Sequence, residues 1–167
     1  MTRALSLPLC LLLAVAGSGC ALRPMYAAGE AGQVSTLLRS VSVQPIPGRT
    51  GWLVRTALVD RLGKAAADDR YRLEVELDDD ITGFGLRTDS AVTRERRTLR
   101  ARYRLVDSTT GAVLLDATAG SDAGIDVVSS EYATLAAEQT AVERLSQVVA
   151  DQIVSRLGLY ASRRVQP

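Results

Sequence analysis

Five arginines fall at alternating positions within one short stretch: Arg94, Arg96, Arg100, Arg102 and Arg104. In an extended strand, residues of one parity share a face. The spacing therefore aims five guanidinium groups in one direction. Planar guanidinium forks match phosphate and carboxylate oxygens in a bidentate way. The row is either an anion-binding stripe or one side of a set of cross-strand ion pairs. Carboxylates for the second reading exist, because Glu74, Glu76 and Asp78 also share a parity in the preceding segment. Arg97 takes the opposite face, and Arg87 lies in the connection before the row. Arg87 and Arg94 stand farthest from Glu74 and Glu76. With Arg96 beside them, they are the candidate anion-binding residues.

Other chemistries are excluded more simply. The chain has 167 residues, no His and two Cys. Without His there is no Ser-His-Asp or Cys-His arrangement, and a four-ligand Cys/His zinc site cannot be built. Asp78, Asp79 and Asp80 lack the spacing and the bidentate Glu of a calcium loop. The phosphate-binding glycine loop, the dinucleotide fingerprint and the G-x-S-x-G elbow are all absent. A formal charge of +1 argues against nucleic acid as a partner. The expectation is a protein that is not an enzyme and needs neither cofactor nor metal.

The first residues read as a targeting segment. Arg3 precedes an apolar run from Leu5 to Ala16, followed by Gly17, Ser18, Gly19 and Cys20. That order is a secretory signal peptide, and the run is too short to span a bilayer. Gly17-Ser18-Gly19-Cys20 resembles a bacterial lipobox, with Gly17 where Leu is usual. The resemblance implies cleavage before Cys20 and acylation of its thiol. Cys10 then leaves with the leader, so no disulfide forms within the chain. Losing Arg3 from the 20 Lys+Arg balances the 19 Asp+Glu. Several acyl chains would anchor the product stably. By the enteric sorting rule, Ala21 rather than Asp after the lipidated Cys points to the outer membrane.

The rest predicts one α+β domain. Residues 1–19 are the signal peptide, 20–36 a lipid-anchored tether, 37–160 the domain and 161–167 a short polar tail. A strand is expected over 38–44, stopped at Pro45 and Pro47. A helix should run from a Thr50 cap to about Lys64, with Gly63 ending it. Alternation predicts a strand over 71–78, with Tyr71, Leu73, Val75 and Leu77 inward. Residues 78–91, rich in Asp and Gly, read as a long connection. A strand over 92–106 buries Leu99, Ala101, Tyr103 and Leu105. A turn over 107–111 leads to a strand over 112–119, and 120–124 reads as a loop. The last helix should span 129–157, with a stripe of Leu135, Val142, Leu145, Val149, Ile153 and Leu157 and a cap at Gly158. The expected order is β-α-β-β-β-α: a two-layer sandwich with a four-stranded, mostly antiparallel sheet and two helices on one face. The first two strands, joined through a helix, can be parallel. Trp52 is expected at a packing contact or an interface.

Several stretches resemble alphaproteobacterial LPS-assembly lipoproteins. Cys20 followed by Leu22-Arg23-Pro24-Met25-Tyr26 is similar to their Cys-x-x-x-Pro-Leu-Tyr-Gly start, with Met25 and Ala27 as departures. Ala91-Val92-Thr93-Arg94, Tyr103-Arg104-Leu105-Val106-Asp107 and Gly111-Ala112-Val113-Leu114 resemble the central hairpins. Ser130-Glu131-Tyr132-Ala133 resembles the entry to the last helix. The resemblance implies two helices on a four-stranded sheet. It implies an outer-membrane lipoprotein facing the periplasm, whose partners are a large β-barrel LPS-assembly protein that it plugs, lipopolysaccharide itself, and the membrane through its lipid. It also implies that the family's LPS-contacting basic residue at the tip of the second hairpin falls on Arg87. The family's second basic position finds no Lys or Arg between Ser121 and Val142. The alternative is an auxiliary lipoprotein of an ABC-type lipid transport system. A co-purifying barrel or a co-purifying ATPase complex separates the two.

Overall fold

A computed structural model describes residues 32–63, 69–86 and 92–165. The signal peptide, Cys20 and Arg87 lie outside the described residues. The elements are α1 (Gln33–Arg39), β1 (Val41–Val43), α2 (Gly48–Leu62), β2 (Tyr71–Leu86), β3 (Val92–Asp107), β4 (Val113–Asp126) and α3 (Glu131–Val165). The sheet order is β1-β2-β3-β4. β1 runs parallel to β2, as the intervening helix requires, and the other pairs are antiparallel. The fold is α+β, with the expected sheet and two long helices plus the short helix α1.

The core lies between the inner sheet face and the helices. Leu73, Leu99, Ala101, Tyr103 and Leu105 are buried against Val54 and Leu58 of α2 and Val149, Ile153 and Leu157 of α3. Each fully buried Leu contributes about 1.5–3 kcal/mol relative to exposure. Burial also pushes the Tyr103 phenol pKa up. The two helices are tied by Arg61, whose guanidinium donates to both carboxylate oxygens of Asp151, at 3.1 Å for Nη2–Oδ2. That guanidinium holds the Asp151 carboxyl below its ordinary range.

Several boundaries differ from expectation, each for a physical reason. Helix α1 occupies residues read as tether and strand start. Its Leu38 is buried in the core, so burial stabilises a turn the composition does not announce. Pro47, not Thr50, caps α2. The Thr50 hydroxyl instead donates to Asp79 Oδ2 at 2.7 Å. Gly63 ends α2 as expected, at a φ of 83° that an L side chain rarely adopts. β2 runs through 79–86 and β4 through 120–124, segments that read in sequence as a connection and a loop, and β4 continues to Asp126. Both segments pair with β3, and that pairing overrides the low strand propensity of Asp and Gly. Gly158 does not end α3. Leu157 and Ala161 are buried on either side of it and Tyr160 packs on the core, so packing carries the helix past the glycine to Val165. The residues read as a polar tail therefore begin inside a helix.

β4 is an edge strand. At its middle, Gln152 of α3 reaches round the edge. Its Oε1 accepts from the Gly120 N–H at 3.0 Å and its Nε2 donates to the Gly120 carbonyl at 3.2 Å. This occupies backbone groups that an exposed edge would offer to another strand.

Candidate functional site: the arginine face of the sheet

The β2–β3 register places Glu74 opposite Arg104, Glu76 opposite Arg102 and Asp78 opposite Arg100. On the other side, β4 places Asp126 opposite Arg94, Gly124 opposite Arg96, Gly120 opposite Arg100, Thr118 opposite Arg102 and Asp116 opposite Arg104. All of these lie on the outer face, which none of the described helices covers. Arg94, Arg96, Arg100, Arg102 and Arg104 are thus brought into one row, as their parity predicts.

The pairing within the row is only partly the expected one. Arg104 Nη2 reaches Glu74 Oε2 at 3.1 Å and Glu76 Oε1 at 3.8 Å, and Arg72 shares Glu74 at 2.9 Å. The other partners come from β4. Arg102 grips Asp116 with Nε at 3.3 Å and Nη2 at 2.9 Å. Arg94 Nε donates to Asp126 Oδ1 at 2.9 Å. Arg96 Nε lies 3.8 Å from Asp122 Oδ2, and its guanidinium carbon stands 5.5 Å from the centre of the Phe84 ring. Arg94 is therefore not left without a carboxylate near the hairpin end. Its distance from Glu74 and Glu76 concerns β2 alone, whereas the partner comes from β4. Asp116, Asp122 and Asp126 share a parity that the short turn over 107–111 would have aligned with the arginines. Two of the three lay in or beyond the residues read as loop.

Arg100 departs furthest. The register sets it opposite Asp78, yet among the described residues it has no ion pair. Its side chain lies beside Gly120, where a Cβ would stand 3.3 Å from Arg100 Cγ and 3.2 Å from the Leu99 carbonyl oxygen. A shallow groove of about 710 Å³ opens there, bordered by Asp78, Thr98, Arg100, Thr118 and Gly120.

The outer pairs are wet. Arg94 and Asp126 are 63% and 72% exposed. Arg102 holds the Asp116 carboxyl below its ordinary range by hydrogen bonding, and Asp116 raises the Arg102 guanidinium in return. Exposed pairs of this kind contribute little to stability, and their guanidinium groups keep donors open to solvent. Arg97, on the inner face, is different. It is 14% exposed and clasps Asp79, itself 20% exposed. The contacts are 2.8 Å from Nε and 2.6 Å from Nη2. Its Nη1 also donates to the Glu138 carbonyl at 3.3 Å. With the Thr50 bond, this cluster joins β2, β3, α2 and α3. The Arg97 hydrogen bond holds the Asp79 carboxyl below its ordinary range.

Among the described residues, no three His, Cys, Asp or Glu side chains are placed to hold a metal. No described helix is long and apolar enough to cross a membrane.

Comparison with known proteins adds the family. Residues 38–157 match the LptE family, described as lipopolysaccharide-assembly. No curated protein matches the chain. A crystal structure from Caulobacter crescentus is similar with a TM-score of 0.67 and 24% identity, covering 81% of this chain and 99% of that one. The rare lipoprotein B of Shewanella oneidensis is similar at 0.59 and 14% identity, over 75% and 98% of the two chains. A lipoprotein B of Nitrosomonas europaea, solved in solution, is similar at 0.58 and 14%, over 73% and 83%. These identities speak to the fold, and the fold they share is the helix-covered four-stranded sheet described above. The family match spans the sheet, α2 and most of α3, so this chain belongs to the LptE lipopolysaccharide-assembly family and has a role in assembling lipopolysaccharide.

Proposed function

We propose that this chain is an outer-membrane lipoprotein that docks in and plugs a β-barrel translocon and helps deliver lipopolysaccharide to it, without catalysing a reaction. Cys20 carries the lipid and holds the domain on the periplasmic side of the outer membrane. Tethering raises the effective concentration of the domain at the barrel. Arg87, Arg94 and Arg96 contact LPS phosphates.

The observation that carries this reading is the family match over residues 38–157. The arginine face supports the phosphate contacts. Arg94 and Arg96 are held by exposed carboxylates at 2.9 and 3.8 Å, pairs weak enough to be traded for a doubly charged phosphate. Two measurements test the proposal. Mass spectrometry of the mature protein should find an acylated Cys20 at its N-terminus; an unmodified N-terminus elsewhere rejects the anchor. Mild detergent extraction of outer membranes should yield the lipoprotein with a large β-barrel. Repeated recovery of the lipoprotein alone rejects the plug.

A further inference from the structure

The two edges of the sheet are finished differently. β4 carries Gln152 over its middle. On the other side, β1 has 3 residues and β2 has 16, so β1 covers only Tyr71, Arg72 and Leu73. β1 cannot continue the ladder, because Pro45 has no N–H to donate and the chain turns at Pro47 into α2. Tyr71 donates its N–H to the Ser40 carbonyl, and the Leu73 carbonyl accepts from the Gln44 N–H. Those bonds fix the phase of the strand. Odd-numbered residues of β2 turn their backbone groups toward β1, and even-numbered ones toward β3. The register with β3 runs without a shift from Tyr71 to Phe84. Leu77, Asp79, Ile81 and Gly83 therefore aim N–H and C=O groups outward, past the end of β1. Among the described residues nothing pairs with those groups, and residues 78–85 are all exposed. An edge of this length is a template for another strand.

The side chains along the edge say which strand fits. On the outer face the charges stand in columns. Glu74, Glu76 and Asp78 on β2 are acidic, the row on β3 is basic, and Asp116, Asp122 and Asp126 on β4 are acidic again. The arginines draw most of their ion pairs from the columns beside them. Beside the free edge, however, Asp78 and Asp80 have no ion pair among the described residues. Asp80 accepts only from the Thr82 hydroxyl, at 2.7 Å. A second copy of β2 would set carboxylates against carboxylates, which repel. On the inner face Asp79 is taken by Arg97, and Ile81 is 40% exposed.

We infer that the free edge of β2 from Leu77 to Gly83 is a strand-addition site for an extended segment of another protein in which Lys or Arg alternates with apolar residues. The backbone of that segment pairs with the outward N–H and C=O groups. Its cations meet Asp78 and Asp80, and its apolar side chains cover Ile81. β3 already meets the acidic column from the other side with the same alternation, Arg100, Arg102 and Arg104 between Leu99, Ala101, Tyr103 and Leu105. The edge is separate from the arginine row and from the lipid anchor, so this contact stands whether or not the chain plugs a barrel.

The test follows amide hydrogen exchange, residue by residue, in the full-length lipoprotein. The probe is a capped synthetic peptide of alternating Lys and Val, with a Glu–Val peptide as its control. In the free protein the amides of Leu77, Asp79, Ile81 and Gly83 should exchange fast, while those of Asp78, Asp80 and Thr82 are protected by β3. The Lys–Val peptide should slow the first set roughly tenfold or more, and the Glu–Val peptide should leave it fast. Asp78→Asn with Asp80→Asn, both exposed, should weaken Lys–Val binding roughly tenfold without lowering the melting temperature. Odd-numbered amides already protected in the free chain overturn the inference, because the chain would then cover its own edge. Equal protection by the two peptides overturns the basic partner. Absence of protection up to the solubility limit of the Lys–Val peptide overturns the site, as does undiminished binding of a peptide N-methylated at alternate amides in both registers.

Discussion

Two arginine–aspartate pairs on opposite faces of β3 have nearly the same geometry. Arg97 reaches Asp79 at 2.6 Å and Arg102 reaches Asp116 at 2.9 Å, each through two nitrogens. Their settings differ. The inner pair is 14% and 20% exposed and sits against two helices, whereas the outer pair is 61% and 41% exposed and sits in water. Coulombic attraction at one separation grows several-fold as the surroundings dry. Side chains in the inner pair also have further partners, Thr50 and the Glu138 carbonyl, which the outer pair lacks. The same chemical pair therefore latches the fold on one face and remains exchangeable on the other.

The comparison breaks first at Asp79. Asp79→Ala leaves the Arg97 guanidinium without its carboxylate and the Thr50 hydroxyl without its acceptor. We expect a loss of about 3 kcal/mol, toward the value for removing one partner of a buried pair, measured by urea unfolding. A loss below about 1 kcal/mol would place the inner pair with the outer ones.

The pH dependence is the next largest effect. Asp79 has its carboxyl pKa lowered by the Arg97 hydrogen bond, so the folded value lies below the unfolded value of roughly 3.9. Its contribution is full above the unfolded value and is lost as the pH falls through the folded one. Asp116 and Asp151 shift in the same direction but are more exposed and weigh less. The wild type should lose stability steeply below about pH 4. Asp79→Asn should flatten that fall. An equally steep fall in Asp79→Asn would assign the acid sensitivity to other carboxylates.

Arg102→Ala should leave the urea unfolding midpoint nearly unchanged, and moderate salt should shrink any small difference further. A larger, salt-resistant loss would mean the outer face carries structural weight.

Much of this arrangement is legible in the chain. The parity of Arg94 to Arg104 and of Leu99 to Leu105 places both faces of β3. The helix between β1 and β2 predicts their parallel pairing, and the α3 stripe is buried from Val142 to Leu157. What escapes is non-local. Asp78–Asp80 and Gly120–Gly124 look like loops because local propensity cannot register a strand partner already in place. Gly158 looks like a stop because the burial of Ala161 is a tertiary fact. The partners of the arginines were half missed for the same reason: Asp122 and Asp126 come into range only once β4 is long enough to carry them.

The central claim is that exposed, carboxylate-held arginines on the outer face exchange their partners for LPS phosphate. Its most direct test is LPS affinity in three proteins: wild type, the pair Arg94→Ala with Arg96→Ala, and the pair Asp122→Ala with Asp126→Ala. A lost charge-assisted contact is worth about 1.5–3 kcal/mol, so the arginine pair should weaken binding roughly tenfold or more, and adding Arg87→Ala should weaken it further. The aspartate pair frees the same arginines and should tighten binding, with melting temperatures nearly unchanged in all. Equal LPS affinity across wild type, the arginine pair and the aspartate pair would contradict the claim.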